Sequence, residues 1–418
     1  MSLFLHAHAT HPDWHFALAL AVTQIDEQRL QPGRVREPTL GWVYLTDHYA
    51  EDAEVLLGVL KAHWPNVAWV GAVGVGIAGN GVEYFNEPAL SLMLSDLPVD
   101  QFKVFSGAAP LGNFEAASAQ VHADSQTTDL SELVREMSQR TRSGYLFGGL
   151  ASSRTRSLHI ANGVFQGGLS GVAFLDNRAG NATEDFGLLS RVTQGSQPIA
   201  KARTVTEAQH NLVLTLDGEP ALDCLLRDLQ IDDIHQRDAM PRLRETLVGL
   251  NDAADAESGP LRPGQFGSDT RVRHLIGLDP ARRGVAIADH VEVGMQLAFC
   301  KRDTQAARRD LVRICSEIRE ALEPESLPLE AALALQGSDT DGASHSARRM
   351  VGAVYVSCAG RGGPHFGAPS AELAIIRHAL GDVPLVGFFA AGEIARHHVY
   401  GYTGVLTVFT ASTEAVKP

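Results

Sequence analysis

The residues best suited to chemistry gather near the end of the chain. In VYVSCAGRGGPHFG an apolar run closes on Cys358 and then breaks into glycines around Arg361, with His365 following. A nucleophilic cysteine needs a cation or a helix N-terminus to lower its pKa and a histidine within reach. Arg361 and His365 supply those residue types, which would make the protein a cysteine-dependent acyl-transfer or hydrolytic enzyme. The plainer reading is that Cys358 is a small apolar side chain ending a buried strand. A phosphate cradle would have its glycines lead directly into a helix; here Pro364 and Pro369 intervene. The remaining reading is the wall of a ligand pocket, and it is the one the chemistry favours. Arg361 would receive a ligand carboxylate through paired hydrogen bonds. Glu393, in the otherwise apolar FFAAGEIA, needs a partner because an unpaired acid in such surroundings is costly; it would hold Arg361 or meet a ligand ammonium. Phe389 and Tyr402 would supply apolar contact and Ser152 or Ser153 a hydroxyl, with Gly149 and Gly362 completing the expected ligand contacts.

Other motifs carry less. GVGIAG, Gly74 to Gly79, fits a dinucleotide fingerprint, but the fingerprint needs a helix opening on its last glycine, and extended residues follow here. His6 and His8 in HAHATH would share a face of a strand, without a Cys, Asp or Glu placed to complete a metal site; His397 and His398 fall in an expected loop. No metal and no cofactor is expected. GGLASSRTR, Gly148 to Arg156, sets serines and arginines where a strand end could line a crevice, or where a polar turn would serve equally well.

These residues need elements to hold them. Leucine- and valine-rich runs alternate with helical patterns at the start: LFLHAHA, a helix capped by Asp13, TLGWVYLT, a helix capped by Thr46 or Asp47, then VAWVGAVGV. That order favours parallel pairing. ALSLMLSDL, QFKVFSGA and GYLFGGLAS read as further strands around the helix TDLSELVREMSQRT, and LHIANGVFQGGLSGVAFLD as a hairpin turning on Gly-Gly. Beyond a change near residue 200, strands joined by D-G and D-P-A-R-R-G turns precede the helix DTQAARRDLVRICSEIREAL. The polar stretches NDAADAESGPLRPGQ and LQGSDTDGASHSARR read as surface loops. The end runs strand, glycine loop, helix, strand and strand. Val70-Gly71, Val386-Gly387 and YLFGGLAS echo one another, as if one α/β unit recurs. The expected fold is α/β (α+β), two related domains with mixed β-sheets covered by helices, over residues 1–200 and 201–418.

Composition narrows the partners. The 418 residues carry a net charge of −14, which repels phosphate backbones and excludes nucleic acid as the expected partner. No apolar stretch approaches the ~20 residues of a membrane helix, so no membrane insertion is expected. The opening residues lack a basic segment followed by a long apolar core, so no secretory signal is expected. Four scattered cysteines, Cys224, Cys300, Cys315 and Cys358, fit a reduced, cytoplasmic chain.

At the chemical residues the chain resembles the FIST family, N-terminal and C-terminal domains both. The family's S-C-x-G-R-G loop stands as Ser357, Cys358, Gly360, Arg361 and Gly362. Its P-x-x-G-F-x-x-x-G-E-I segment stands as Pro384, Gly387, Phe388, Gly392, Glu393 and Ile394, and its T-G-V-L strand as Thr403 to Leu406. FGGLAS, Phe147 to Ser152, and the junction around Val205, Asn211, Asp217 and Pro220 extend the similarity. The resemblance implies a sensory protein that binds a small ligand, an amino acid being the usual suggestion, and passes the signal to an unidentified partner. It brings no established catalytic residue, and a stand-alone FIST protein, without an attached signalling or F-box domain, is expected. A protein-interaction scaffold is the remaining alternative. Ala72 and Ile77 stand where the first domain of the family usually has cysteine and glutamate, and Gly401 where it has asparagine, which points to a different ligand preference.

Overall fold

The computed structural model describes residues 2–175, 186–232, 239–252, 270–322 and 348–412. Most of the two polar stretches read as surface loops, residues 253–265 and 335–347, lies outside the described residues. Mixed sheets flanked by helices form the mixed α/β architecture expected.

The echo in the sequence is a structural repeat present three times. Each copy is a strand, a helix, a parallel strand, a short hairpin and a returning strand. In the first copy these are Leu40–Thr46, Ala53–His63, Ala68–Gly74, the hairpin Gly76–Gly79 and Val82–Phe85, and Ala89–Ser95. In the second they are Ser118–Asp124, Leu130–Gln139, Tyr145–Ala151, His159–Ala161 with Val164–Phe165, and Leu169–Phe174. The third comprises Arg348–Cys358, Ala371–Leu380, Leu385–Ala390, Glu393–Arg396 with His398–Tyr400, and Thr403–Ser412. An edge strand pairs with each returning strand: Leu5–Thr10, Phe102–Phe105 and Phe186–Gln194 respectively.

No hairpin pairs within its own sheet. The first copy's hairpin adds to the third sheet, with Gly387 opposite Ala78; the second's adds to the first, with His159 opposite Ala72; the third's adds to the second, with Glu393 opposite Gly149. The exchange is cyclic and covers the outer edge of each second strand, which would otherwise offer unpaired backbone groups. One continuous core, including Trp42, Phe147, Phe174, Phe388 and Phe409, joins all three sheets. The recurring glycine has one physical cause. A Cβ on Gly71, Gly148 or Gly387 would overlap the carbonyl oxygen of Val43, Val121 or Tyr355, its register partner in the parallel neighbour.

Six further strands close into a barrel. Gln296–Arg302 pairs on one side with Arg203–Gln209 and on the other with Leu247–Asn251; Leu212–Leu216, Gly284–Ile287 and Arg271–Asp279 close the ring between them. It has its own core around Val205, Leu225, Leu250 and Phe299. It is inserted in the third copy, between the edge strand Phe186–Gln194 and the helix Thr304–Glu320.

Local readings hold where the chemistry is local. Asp13 caps Trp14–Arg29 through His15 N–H at 2.9 Å, and Asp303 caps Thr304–Glu320 through Ala306 N–H at 2.6 Å. Two differ. After Leu40–Thr46 a 3-10 turn, Asp47–Asp52, precedes the helix, and neither Thr46 nor Asp52 makes a side-chain cap. The expected Gly-Gly hairpin turns instead at Asn162-Gly163. Asn162 takes φ 55° and its side chain accepts Trp69 N–H at 2.8 Å, while Gly167 and Gly168 carry the chain into a different sheet.

Candidate functional site

From Val351 to Ser357 the strand Arg348–Cys358 is buried on both faces because it is a central strand, covered on both sides. It delivers Cys358 to a position opposite Ala390. The glycine loop beyond is pinned throughout. Ala359 N–H donates to Ala390 O at 2.8 Å and Gly363 N–H to the Glu83 carboxylate at 3.0 Å. Arg302 from the barrel donates to Gly360 O, and Arg308 and Thr304 donate to Phe366 O and His365 O. Glu83 comes from the first copy's exchanged hairpin, so that hairpin positions the loop. Burial pushes the Glu83 carboxyl up to about 7.

Arg361 is wholly buried, and its partner is Glu372. Its Nε donates to Glu372 Oε1 at 2.9 Å, and its remaining N–H groups reach Thr193 O at 3.4 Å, Tyr402 O at 3.5 Å and Thr193 Oγ1 at 3.5 Å. The same carboxylate accepts from Tyr355 OH at 2.5 Å and from Ser357 Oγ at 3.1 Å. This corrects the expectation that Arg361 is held by Glu393 and free for a ligand carboxylate. An internal carboxylate already occupies the guanidinium, because the first turn of the Ala371–Leu380 helix sets Glu372 over it. Tyr355 and Ser357 share one face of the strand by its two-residue period, and that polar pair in an apolar run was the signal that a carboxylate must face them.

Glu393 is also wholly buried. Its Oε2 accepts Thr403 N–H at 3.0 Å and Thr403 Oγ1–H at 2.7 Å, while its Oε1 has no partner among the described residues. Burial pushes this carboxyl up to about 8. Close by, the half-buried Cys358 thiol is pushed up to about 12, first by burial and then by Glu393. His365 is lowered to about 4 by burial and by Arg302, and no hydrogen bond joins it to Cys358. Tyr402, at φ 59°, is the half-buried residue beside them. Its hydroxyl shares a hydrogen bond with His274 Nε2 at 2.7 Å, and the Arg302 guanidinium stands 5.1 Å over its ring.

Cys358, Arg361, Gly362, Glu393 and Tyr402 are thus brought together. Phe389 lies behind Gly362, its ring 4.3 Å from Phe85. Gly149 and Ser152 sit in a packed junction rather than an opening: a Cβ on Gly149 would crowd Val356 and Ala390, and Ser152 Oγ donates to Phe389 O. Ser153 turns away to Thr155 at 3.2 Å. Sequence reasoning missed Glu372, Thr193, Thr403, Glu83, Arg302 and His274. A cavity of about 330 Å³ lined by Phe147, Phe186, Leu188 and Ser190 contains none of the expected residues. In GVGIAG, Gly76–Gly79 is a strand, so the helix that dinucleotide binding requires is not there. Among the described residues no group of three His, Cys, Asp or Glu could hold a metal ion, and no helix is long and apolar enough to cross a membrane.

Residues 39–219 match the FIST N domain and residues 221–396 the FIST C domain. The chain belongs to the FIST family. FIST domains are associated with sensory and signal-transduction roles. The FIST C match stops before Thr403, although Thr403 supplies both donors to Glu393. The FIST chain is similar to Uncharacterized protein Rv0628c of Mycobacterium tuberculosis, 28% identical over 431 residues, covering 96% of this chain and 98% of the relative. It is also 28% identical over 397 residues to Uncharacterized protein Mb0898c of Mycobacterium bovis, covering 88% and 89% of the two chains.

Proposed function

We propose that this FIST protein is a cytoplasmic sensor that binds a small carboxylate or amino acid where Cys358, Glu393 and Tyr402 meet. One observation carries the reading: a fully buried carboxyl oxygen, Glu393 Oε1, without a partner among the described residues beside a half-buried thiol. A buried polar atom of this kind is costly unless something completes its hydrogen bonding. The corresponding hairpin positions of the other two copies leave no such atom: Ile77 is apolar, and the His159 ring nitrogens meet Ser170 Oγ at 2.7 Å and Gly167 O at 3.0 Å. Arg361 then acts as a positioning residue, neutralising Glu372 and fixing the loop, rather than as the ligand's direct receptor. The barrel supplies Arg302 and His274 to Tyr402, and in this reading it would register occupancy and pass it to a partner protein.

An acyl-transfer role for Cys358 has little physical support, since a thiol held near 12 is protonated at neutral pH. A thermal-shift screen with amino acids, small carboxylates and nucleotides tests the proposal. A ligand at 100 times its Kd stabilises by about 2.7 kcal/mol. A saturable shift from an amino acid or carboxylate, lost in Glu393→Ala, is the expected result. No shift from either class, or one untouched by Glu393→Ala, would sink the reading.

A further inference from the structure

We infer that Glu393 works as an un-ionised acid whose Oε1–H donates to an oxygen of the ligand, so that the site takes the carboxylate end of a small molecule and not its ammonium. This rests on the ligand site proposed above and assigns the chemistry at its floor. The geometry fixes the two carboxyl oxygens in different roles. Oε2 receives two donors, Thr403 N–H at 3.0 Å and Thr403 Oγ1–H at 2.7 Å, so it is the acceptor. A proton on this group must therefore sit on Oε1, the oxygen without a partner.

The charges around it favour that proton. Glu393 is faced by Cys358 from the strand end, Arg361 from the glycine loop, Glu372 from the helix and Tyr402 from the last turn. Only Arg361 among these is cationic, and Glu372 takes it at 2.9 Å. An ionised Glu393 would make two buried carboxylates share one guanidinium, and like charges so placed do not both ionise readily. The carboxyl, held up at about 8 by burial, agrees with that count. A carboxylic acid kept neutral in this way is a strong directional donor. The Cys358 S–H, protonated as well, is a second and weaker donor at the same place. Arg302, exposed over the Tyr402 ring, adds a cation that favours an anion. Two donors with a cation beside them are a setting that repels an ammonium group.

The sign of the pH effect follows. As pH rises through about 8 Glu393 ionises, loses its donor and repels a bound carboxylate, so affinity falls about tenfold per pH unit above that value. An ammonium ligand would gain affinity over the same range.

Calorimetric titration of the full chain with sodium propionate and with propylammonium, at pH 6.5 and at pH 9, separates these cases. Propionate should bind at about pH 6.5 and bind the wild type about tenfold more weakly at pH 9. Glu393→Gln should bind propionate equally at both pH values, because its amide can turn its carbonyl to Thr403 and its NH2 to the ligand. Propylammonium binding that strengthens at the higher pH and vanishes in Glu393→Gln would overturn the donor assignment and leave the site standing. Propionate affinity in the wild type that does not change with pH would overturn it too. Binding of neither probe at either pH removes the ligand site itself, and this assignment with it.

Discussion

The first and third repeats place an arginine and a carboxylate at the same strand end and solve the pairing in opposite ways. In the first, Asp47 follows the strand and, 3% exposed, takes Arg154 of the second repeat through both oxygens, at 2.7 and 2.8 Å, with the arginine side chain 51% exposed. At the start of its hairpin stands Ile77, opposite Phe388. In the third, Arg361 lies within the loop, 1% exposed against Glu372 at 0%, and the hairpin starts with Glu393. The first repeat therefore pairs its strand-end acid with an arginine that reaches solvent, and its hairpin acid, Glu83, takes Gly363 N–H in the third repeat. The third buries its pair and adds a further carboxyl for which no cation remains. An acid at this hairpin position is thus particular to the third repeat; the first has Ile77 there and the second His159, which is buried but satisfied by Ser170 Oγ and Gly167 O. A feature that costs stability in one copy only is where function is to be sought.

The largest effect tests whether the repeats are equivalent at all. Gly71→Ala, Gly148→Ala and Gly387→Ala should each abolish folding or cost more than about 4 kcal/mol, since the new Cβ meets backbone that cannot move aside. Gly58→Ala, in a helix with open space around it, should instead stabilise by about 1 kcal/mol. Urea denaturation measures all of them, and one tolerated change among the first group would break the threefold correspondence.

Next come the two ion pairs. Arg361→Ala strands Glu372 in the interior and should cost about 3–5 kcal/mol. Arg154→Ala removes a half-exposed partner from Asp47, itself 3% exposed, and should cost less, about 1–3 kcal/mol. Equal losses in equilibrium unfolding would mean that the buried and surface solutions do not differ as described. Stability unchanged in Arg361→Ala would return that residue to the role of a direct ligand contact.

The smallest effect concerns Cys358. Backbone N–H groups of Gly360 and Tyr402 point at its sulfur, as Ala89 N–H points at Thr46 Oγ1. Cys358→Ser should accept the same donors and change stability by less than about 1 kcal/mol. Iodoacetamide should modify the wild-type thiol slowly at neutral pH and faster as pH approaches about 12, because the thiolate is the reactive form. Rapid labelling at neutral pH would show a nucleophile where a strand-end group is described.

Much of the fold was legible because it is written in short-range chemistry. Asp13 and Asp303 cap helices one step ahead, and Asp217 and Gly218 make a turn from their own positive φ values. Alternation and apolar runs marked the strands, and the glycines after Val70, Phe147 and Val386 marked the repeat. Family membership was legible in Ser357 to Gly362 and in Gly392 to Ile394 for the same reason, since these are contiguous motifs. The gathering of Cys358, Arg361, Gly362, Glu393 and Tyr402 could be expected from their places at strand ends.

Which of them touch could not. Glu372 and Glu393 are both acids near Arg361 in sequence, and nothing local says which takes it; the choice depends on the helix laying its first turn over Tyr355 and Ser357. The exchange of hairpins depends on which sheet edge each finds free, and it alone brings Glu83 to Gly363. The barrel's place in the third repeat alone brings Arg302 and His274 to Tyr402. The sequence by itself determined the elements, their caps and turns, the repeating glycine and the inventory of chemical groups, because these depend on neighbours a few residues away. Only the tertiary structure decided how many carboxylates share one buried guanidinium, because that count is set by residues far apart in the chain and by how completely water is excluded from the space where they meet.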